Sequence, residues 1–237
     1  MRLDQYLVEQ GLVSTRSRAG DMIKGGKVTV AGKICTKPST AIHDQVVGLL
    51  EEEGYVSRAA YKLKDFLDSH DIRIEGKRVL DVGSSTGGFV EVLLEAGAAS
   101  VSAVDVGSNQ LHEKLRARPE VSLYEQTDIR EFHSPVRFDL VTCDASFISL
   151  HHIIESMIAL AGGEMVLLFK PQFEVGREAK RDKKGVIKDE QAINNALKGF
   201  QNRLESLGVE VIEVLPSSLA GREGNQEFII YCKVKHL

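Results

Sequence analysis

The chain has 237 residues, enough for one large or two small domains with a sizeable core, and its 43% hydrophobic and 27% charged content is ordinary for a globular protein. The net charge of −4 argues against a uniformly basic nucleic-acid binder, yet residues 1–50 hold seven Lys/Arg against four Asp/Glu, net +3, which leaves −7 for the rest. No apolar run nears the roughly 20 residues of a membrane span, the start Met1-Arg-Leu-Asp-Gln5 lacks a signal-peptide pattern, and Cys35, Cys143 and Cys232 are not spaced as a disulfide framework or zinc site, so a cytoplasmic protein is expected.

Leu3, Leu7, Val8, Leu12 and Val13 have helical spacing, and Gly11 closes this first helix. Thr15 to Lys24 reads as a second helix, capped by Ser14 or Thr15 and ended by Gly25-Gly26. Lys27 to Ile34 reads as a short hairpin with Ala31-Gly32 at its turn. Arg16, Arg18, Lys24, Lys27 and Lys33 gather around the helix and hairpin, a patch suited to phosphates or simply a solvated face.

The pattern Arg2-Leu-Asp4, Gly11-Leu12, Thr15-Arg16-x-x-Ala19, Ile23, Gly26-Lys27-Val28-x-Val30-x-Gly32 and Lys37-Pro38-Ser39 resembles the alpha-L RNA-binding domain. That small α+β domain is shared by a small-subunit ribosomal protein and several RNA-modifying enzymes. The resemblance implies RNA contacts at Arg2, Arg16, Arg18, Lys24, Lys27 and Lys33.

Glu51-Glu-Glu-Gly54 reads as a linker between a domain at 1–50 and one at 55–237. A helix follows within Tyr55 to Leu67, with Ala59, Leu63, Phe66 and Leu67 as its apolar stripe and Ser57 as a cap. The apolar run from Val79 stops at Gly83, polar and glycine residues turn the chain, and helical periodicity resumes at Phe89. Strand, glycine-rich loop and helix in that order suit a nucleotide-like ligand, because glycines admit close approach and a helix start offers free N–H groups. Further strands are expected at Ser100–Val106, Val121–Tyr124, Phe138–Asp144 and Glu164–Lys170, with a helix from Leu150 to Leu160. Glu210–Leu215 and Glu227–Val234 read as a hairpin around a loop at 217–226. The fold expected is α/β: a Rossmann-like doubly wound sheet, mainly parallel with an antiparallel C-terminal edge, its ligand crevice at the strands' carboxyl ends.

The glycines at 83, 87 and 88 do not fit GxGxxG, and a terminal Gly-Lys-Ser/Thr is missing, so neither a dinucleotide fingerprint nor a Walker loop is present. The stretch instead resembles motif I of the S-adenosylmethionine-dependent methyltransferases. That resemblance implies that Gly83 and Gly87 admit the methionine part, Asp105 accepts the ribose hydroxyls and Asp128 meets the adenine amino group. The full implied set is Asp81, Gly83, Ser85, Gly87, Gly88, Phe89, Asp105, Val106, Asp128, Ile129 and Asp144.

Asp144-Ala-Ser-Phe147 lacks the Asp/Asn-Pro-Pro-aromatic pattern of adenine amino-methyltransferases, and Cys143, inside an apolar strand, reads as a core residue more readily than a nucleophile. Lys170 ends the run Met165-Val-Leu-Leu-Phe169, an unusual place for an ammonium. Lys62, Asp144, Lys170 and Glu227 together resemble the Lys-Asp-Lys-Glu tetrad of ribose 2′-O-methyltransferases. With Asp144-x-Ser-Phe-Ile-Ser-Leu150, Lys170-Pro-Gln-Phe-Glu174 and Gly221-x-x-Gly-Asn-x-Glu-Phe228, the chain is similar to the TlyA/hemolysin A family. Ser57-Arg-Ala-Ala-Tyr-Lys62 departs from the glycines and leucine common there, though the lysine is kept.

The family resemblance implies S-adenosylmethionine as cofactor, no metal, and RNA, most simply ribosomal RNA in a subunit or ribosome, as partner. Lys170, its pKa lowered by desolvation and by Lys62, would take the 2′-hydroxyl proton or stabilise the alkoxide. Asp144 would orient Lys170, and Glu227 would position Lys62 or the ribose. His151-His152 reads as a surface pair rather than a ligand pair. Arg177 to Gly185, with Lys180, Arg181, Lys183 and Lys184, is either a mobile charged loop or a rail for the RNA backbone. Two other functions compete: a membrane-active hemolysin, and an RNA- or ribosome-binding protein that keeps the fold without catalysis. Stable membrane association is not expected.

Overall fold

The computed structural model describes residues 1–13, 15–49, 54–176 and 178–235, so the Ser14 cap, linker residues 51–53 and Arg177 of the basic segment lie outside the described residues. The chain divides into two compact units, Met1–Ser57 and Arg58–Leu237.

In the first unit, helix α1 (Leu3–Glu9) buries Leu3 and Leu7, and Gly11 at φ +65° turns the chain after it. Helix α2 (Arg16–Lys24) is capped by Thr15, whose hydroxyl accepts from the Arg18 N–H at 3.3 Å. Strand β1 (Val28–Val30) pairs antiparallel with β2 (Lys33–Ile34) through Ala31 and Gly32, both at positive φ as a two-residue hairpin turn requires. A third strand, β3 (Val47–Leu49), pairs along the other side of β1 and was not expected from the sequence. Leu3, Leu7, Val13, Ala19, Met22, Ile23, Val28 and Ile42 form the core of this unit.

The second unit begins with α3 (Ala59–Ser69), whose N-cap is Arg58 without a side-chain cap, so Ser57 does not take the expected role. The buried residues of α3 are Ala60, Lys62, Leu63 and Phe66, so Leu63 and Phe66 of the expected stripe are buried, Ala59 and Leu67 are half-buried, and Lys62 lies on the inward face beside them. Next come β4 (Arg78–Val82), α4 (Gly88–Glu95), β5 (Ser100–Val104), α5 (Glu113–Arg116), β6 (Val121–Tyr124) and β7 (Phe138–Cys143). The expected helix at 150–160 is a 3-10 turn, Leu150–His152, followed by α6 (Ile154–Leu160). Then follow β8 (Ala161–Phe169), α7 (Pro171–Glu174), α8 (Glu190–Ser206), β9 (Val209–Pro216) and β10 (Phe228–Val234).

The seven-stranded sheet runs β6-β5-β4-β7-β8-β10-β9. The five strands from β6 to β8 are parallel, and β10 runs antiparallel to both β8 and β9. Chain order reverses at β4, so a crevice opens at the carboxyl ends of β4, β5 and β7. Beneath it lies the core, including Leu80, Val141, Met157, Phe169, Phe200 and Ile230. The 17-residue α8, with Asp189 capping the Ala192 N–H at 2.9 Å, packs its fully buried Phe200 and Leu204 into this core.

Candidate active site

The loops after β4 and β7 touch backbone to backbone. The Asp144 N–H donates to the Val82 carbonyl at 3.0 Å, and Gly83 sits at φ +78°. A Cβ on Gly83 would lie 2.8 Å from Ala145 Cα, so no larger residue fits this cradle. A cavity of about 300 Å³ opens there, at the small end of the usual range for ligand sites. Of the expected cofactor residues, Gly83, Ser85, Asp105, Val106, Asp128, Ile129 and Asp144 line it. Asp81, Gly87, Gly88 and Phe89 do not.

Those four sit deeper for separate reasons. Gly87 takes φ +97° as the N-cap of α4, and a Cβ there would come 2.7 Å from Leu111 Cδ1. Gly88 and Phe89 are buried in the first turn of α4. Asp81 points between strands, where Oδ1 accepts from the Thr142 hydroxyl at 2.6 Å and Oδ2 has no hydrogen-bond partner. Burial raises its pKa to about 7; the Thr142 bond opposes this, while the charges of Asp144 and Asp105 add to it.

Asp105 is held by the backbone. Its Oδ2 accepts from the Ser85 N–H at 2.8 Å and its Oδ1 from the Gly107 N–H at 2.7 Å. Each oxygen keeps a lone pair for a further donor, which fits a pair of ribose hydroxyls. Asp128 is paired with Arg130 at 2.5 Å, and that bond holds its carboxyl below the usual range. Gln110 and Phe147 also line the cavity but escaped the sequence reading. Gln110 accepts from the Ser85 hydroxyl at 3.1 Å. Phe147 lies in the quoted family stretch; it has φ +65° and is 92% exposed, with its ring 5.4 Å from that of Phe173.

The four expected catalytic residues form two pairs, with Lys62, Lys170 and Glu227 buried and Asp144 half-buried. Lys170 Nζ donates to the Asp144 carbonyl at 3.1 Å and to the Ser146 hydroxyl at 2.8 Å, and lies 2.6 Å from Asp144 Oδ1. That last contact is an ion pair outside hydrogen-bond geometry, since Oδ1 makes no hydrogen bond. Lys62 Nζ donates to Glu227 Oε2 at 2.5 Å, and Glu227 Oε1 accepts from Gln172 at 3.1 Å. The two pairs share one end of the sheet: Phe228 is opposite Phe169, so Glu227 enters β10 beside the point where Lys170 leaves β8. A Cβ on Gly221 would stand 2.5 Å from Glu227 Oε1, which explains the glycine there. Cys143 is fully buried, and burial pushes its thiol up to about 12, as suits a core residue. His151 and His152 are exposed, and among the described residues no three His, Cys, Asp or Glu side chains converge as metal ligands.

Lys180 to Lys188 is a folded turn. The Lys188 N–H reaches the Lys180 carbonyl and the Asp182 N–H the Val186 carbonyl, both at 2.9 Å, and Asp182 Oδ1 takes the Lys184 and Val186 N–H groups. Asn225 Oδ1 anchors it through the Ile187 N–H at 2.9 Å. Lys180, Arg181, Lys183 and Lys184 are exposed on this turn, although Arg181 donates to the Gly176 and Ala179 carbonyls. In the first unit, Arg2, Arg16, Lys24 and Lys33 are exposed, and Arg18 and Lys27 are half-buried.

With its sheet order and crevice, the second unit has the Rossmann-like methyltransferase fold. The FtsJ-like methyltransferase profile matches residues 55–234 and the S4 domain profile residues 1–46. The chain belongs to the FtsJ-like methyltransferase family, in its TlyA/hemolysin A branch. It is 51% identical to the 23S rRNA (cytidine-2′-O)-methyltransferase TlyA of Campylobacter jejuni, over 98% of each chain. It is 38% identical to the 16S/23S rRNA (cytidine-2′-O)-methyltransferase TlyA of Mycobacterium tuberculosis, over 99% of this chain and 90% of that one. A solved structure of a hemolysin-named protein from Streptococcus thermophilus superposes with a TM-score of 0.77 at 33% identity, covering 99% of this chain and 88% of that one.

Proposed function

We propose that the protein transfers a methyl group from S-adenosylmethionine to a ribose 2′-hydroxyl of ribosomal RNA. The observation that carries this reading is Lys170, buried beside Asp144 at the rim of the glycine-cradled cavity. An ammonium is costly to bury, and here it is held by three oxygens next to the place a methyl donor would occupy. The names of the Campylobacter and Mycobacterium relatives support the same reaction.

When bound, S-adenosylmethionine supplies an electrophilic sulfonium methyl. Of this chain's residues, Gly83 gives room at the turn, Asp105 would accept ribose hydroxyls, and Asp128 and Ile129 would border the adenine. A 2′-hydroxyl is a weak nucleophile near neutral pH, so its proton must leave as the oxygen attacks. Lys170, as the neutral amine, takes that proton, or as the ammonium stabilises the alkoxide while the proton passes to solvent, and Asp144 and Ser146 fix where Nζ points. Glu227 holds Lys62 in turn, and Gln172 ties Glu227 to the helix start that follows Lys170.

On the RNA side, Arg2, Arg16, Arg18, Lys24, Lys27 and Lys33 of the first unit, with Lys180, Arg181, Lys183 and Lys184, meet phosphates. The exposed Phe147 ring at the cavity rim offers a stacking surface to a base lifted from its neighbours. The protein then works where ribosomes are, in the cytoplasm. Among the described residues no helix is long and apolar enough to cross a membrane. The test is a map of 2′-O-methylation in ribosomal RNA from cells with and without this protein. A ribose methyl lost with the protein supports the reading; unchanged ribose methylation contradicts it.

A further inference from the structure

We propose that Asp4 is a positioning residue of a phosphate site on the first unit, where it holds the guanidinium groups of Arg2 and Arg16 in fixed orientation for an RNA backbone. The proposal rests on the RNA-binding reading of that unit. It adds a residue whose own charge is wrong for the ligand.

The geometry is specific. Arg2 Nε donates to Asp4 Oδ1 at 2.9 Å and Arg2 Nη2 to Asp4 Oδ2 at 3.0 Å, a two-pronged contact of the kind that fixes the guanidinium plane. Arg16 Nη2 donates to the same Oδ2 at 3.1 Å from the first turn of α2. The carboxylate side chain is only 9% exposed, whereas those of Arg2 and Arg16 are 48% and 55% exposed. A single buried anion thus gathers two surface cations. Each guanidinium has five N–H donors. These contacts use two on Arg2 and one on Arg16, so several remain for an anion arriving from solvent.

The backbone reinforces the arrangement. The Leu3 N–H bonds the Thr40 carbonyl at 2.8 Å, the Asp4 N–H the Pro38 carbonyl at 3.1 Å, and Arg2 bridges to Ala41. The start of α1 is therefore pinned between α2 and the 38–41 segment, and neither arginine has to be ordered by the RNA. Leaving an arginine free would cost affinity, because ordering one long side chain at an interface costs roughly two- to tenfold in binding. The simple charge argument has the opposite sign: removing Asp4 makes the face more positive and should tighten binding to a polyanion. The two accounts predict opposite changes for one substitution.

The experiment measures binding of the full chain to purified large ribosomal subunits across a salt series. Arg2→Ala and Arg16→Ala should each weaken binding about tenfold and flatten the salt dependence by about one unit. Asp4→Asn should weaken binding by roughly two- to tenfold per freed arginine despite the gain of positive charge. In the Arg2→Ala/Arg16→Ala background, Asp4→Asn should cost nothing further. If Asp4→Asn does not fold, Arg2→Lys and Arg16→Lys serve instead. They keep the charge and lose the planar fork, so weaker binding with an unchanged salt slope is expected. Asp4→Asn binding as tightly as wild type or tighter, with the alanine variants weakened, overturns the positioning role alone, as does full affinity in the lysine variants. Unchanged binding in both alanine variants overturns the RNA reading of this face and the proposal with it.

Discussion

The two units handle the same chemical problem, a cation held by a carboxylate, in opposite ways. In the first, Asp4 is buried and its arginines are half exposed. In the second, the lysine of each pair is buried: Lys62 with the buried Glu227, and Lys170 with the half-buried Asp144. Exposed arginines in a fixed fork suit recognition of phosphate, because guanidinium is weakly hydrated and stays charged. A buried lysine suits proton chemistry, because a single ammonium in a low-dielectric site answers strongly to whatever enters beside it. On the proposed roles, exposure of the cation, more than the identity of its partner, is what separates a binding contact from a reactive one.

The comparison breaks first at Glu227. Glu227→Ala would leave Lys62 buried without its carboxylate and should cost about 3–5 kcal/mol of stability, read by denaturant unfolding. Lys62→Met with Glu227→Leu should recover most of that stability, since a packed apolar pair can replace a buried ion pair, while methyl transfer stays lost. Recovery of both would make the pair structural only.

Exposed cations should behave differently. Replacing Lys180, Lys183 and Lys184 with glutamine should leave the fold intact and flatten the salt dependence of RNA binding by up to about three units. Arg181→Gln should do less to the slope, because its guanidinium is turned onto the Gly176 and Ala179 carbonyls. An unchanged slope in the triple variant would leave the turn without a role in binding.

Carboxylates divide in the same manner. Asp105, held by two backbone N–H groups, should be needed for the cofactor. Asp105→Asn places an amide against one of those donors and should weaken S-adenosylmethionine binding about 10- to 100-fold by calorimetry. Asp81 is the smallest case, and its effect depends on pH. Its folded pKa, about 7, lies above its unfolded value of 3.8. The contribution it makes is therefore complete below the unfolded value and is lost as pH rises through about 7. Asp81→Asn should gain melting temperature relative to wild type as pH rises from about 4 to about 7, by roughly several degrees, and keep that gain above it. A constant difference across that range would mean Asp81 titrates elsewhere.

Much of the fold was legible in the sequence because parallel strands and glycine turns leave local marks. The strands ending before Gly83, Asp105 and Asp144 stand where the apolar runs place them, within two residues. Less was visible where structure is set through space. That β10 inserts between β8 and β9 depends on sheet register, which neither strand states by itself. Helix α8 was not expected from the sequence, although Ile193, Leu197, Phe200 and Leu204 have helical spacing and Asp189 caps it. Strand β3 is short and contains Gly48, so its pattern is weak.

In the candidate site, residue types that are unusual for their place stood out, and Lys170 at the end of an apolar strand is the clearest. Their partners did not. Ser146 and Gln172 are ordinary polar residues until the fold brings them to Lys170 and Glu227. Around the glycine loop, Gly87 and Phe89 are buried at the start of α4 and do not line the cavity.

Lys170 is the residue on which the proposed methyl transfer depends most directly. Methyl transfer to large ribosomal subunits and binding of S-adenosylmethionine should be measured side by side for wild type and Lys170→Ala. The expected result is a fall in turnover of about 10²–10⁴-fold with cofactor affinity little changed, and wild-type product methylated on a ribose 2′-oxygen. Turnover retained by Lys170→Ala, or a methyl group found on a base, would contradict it.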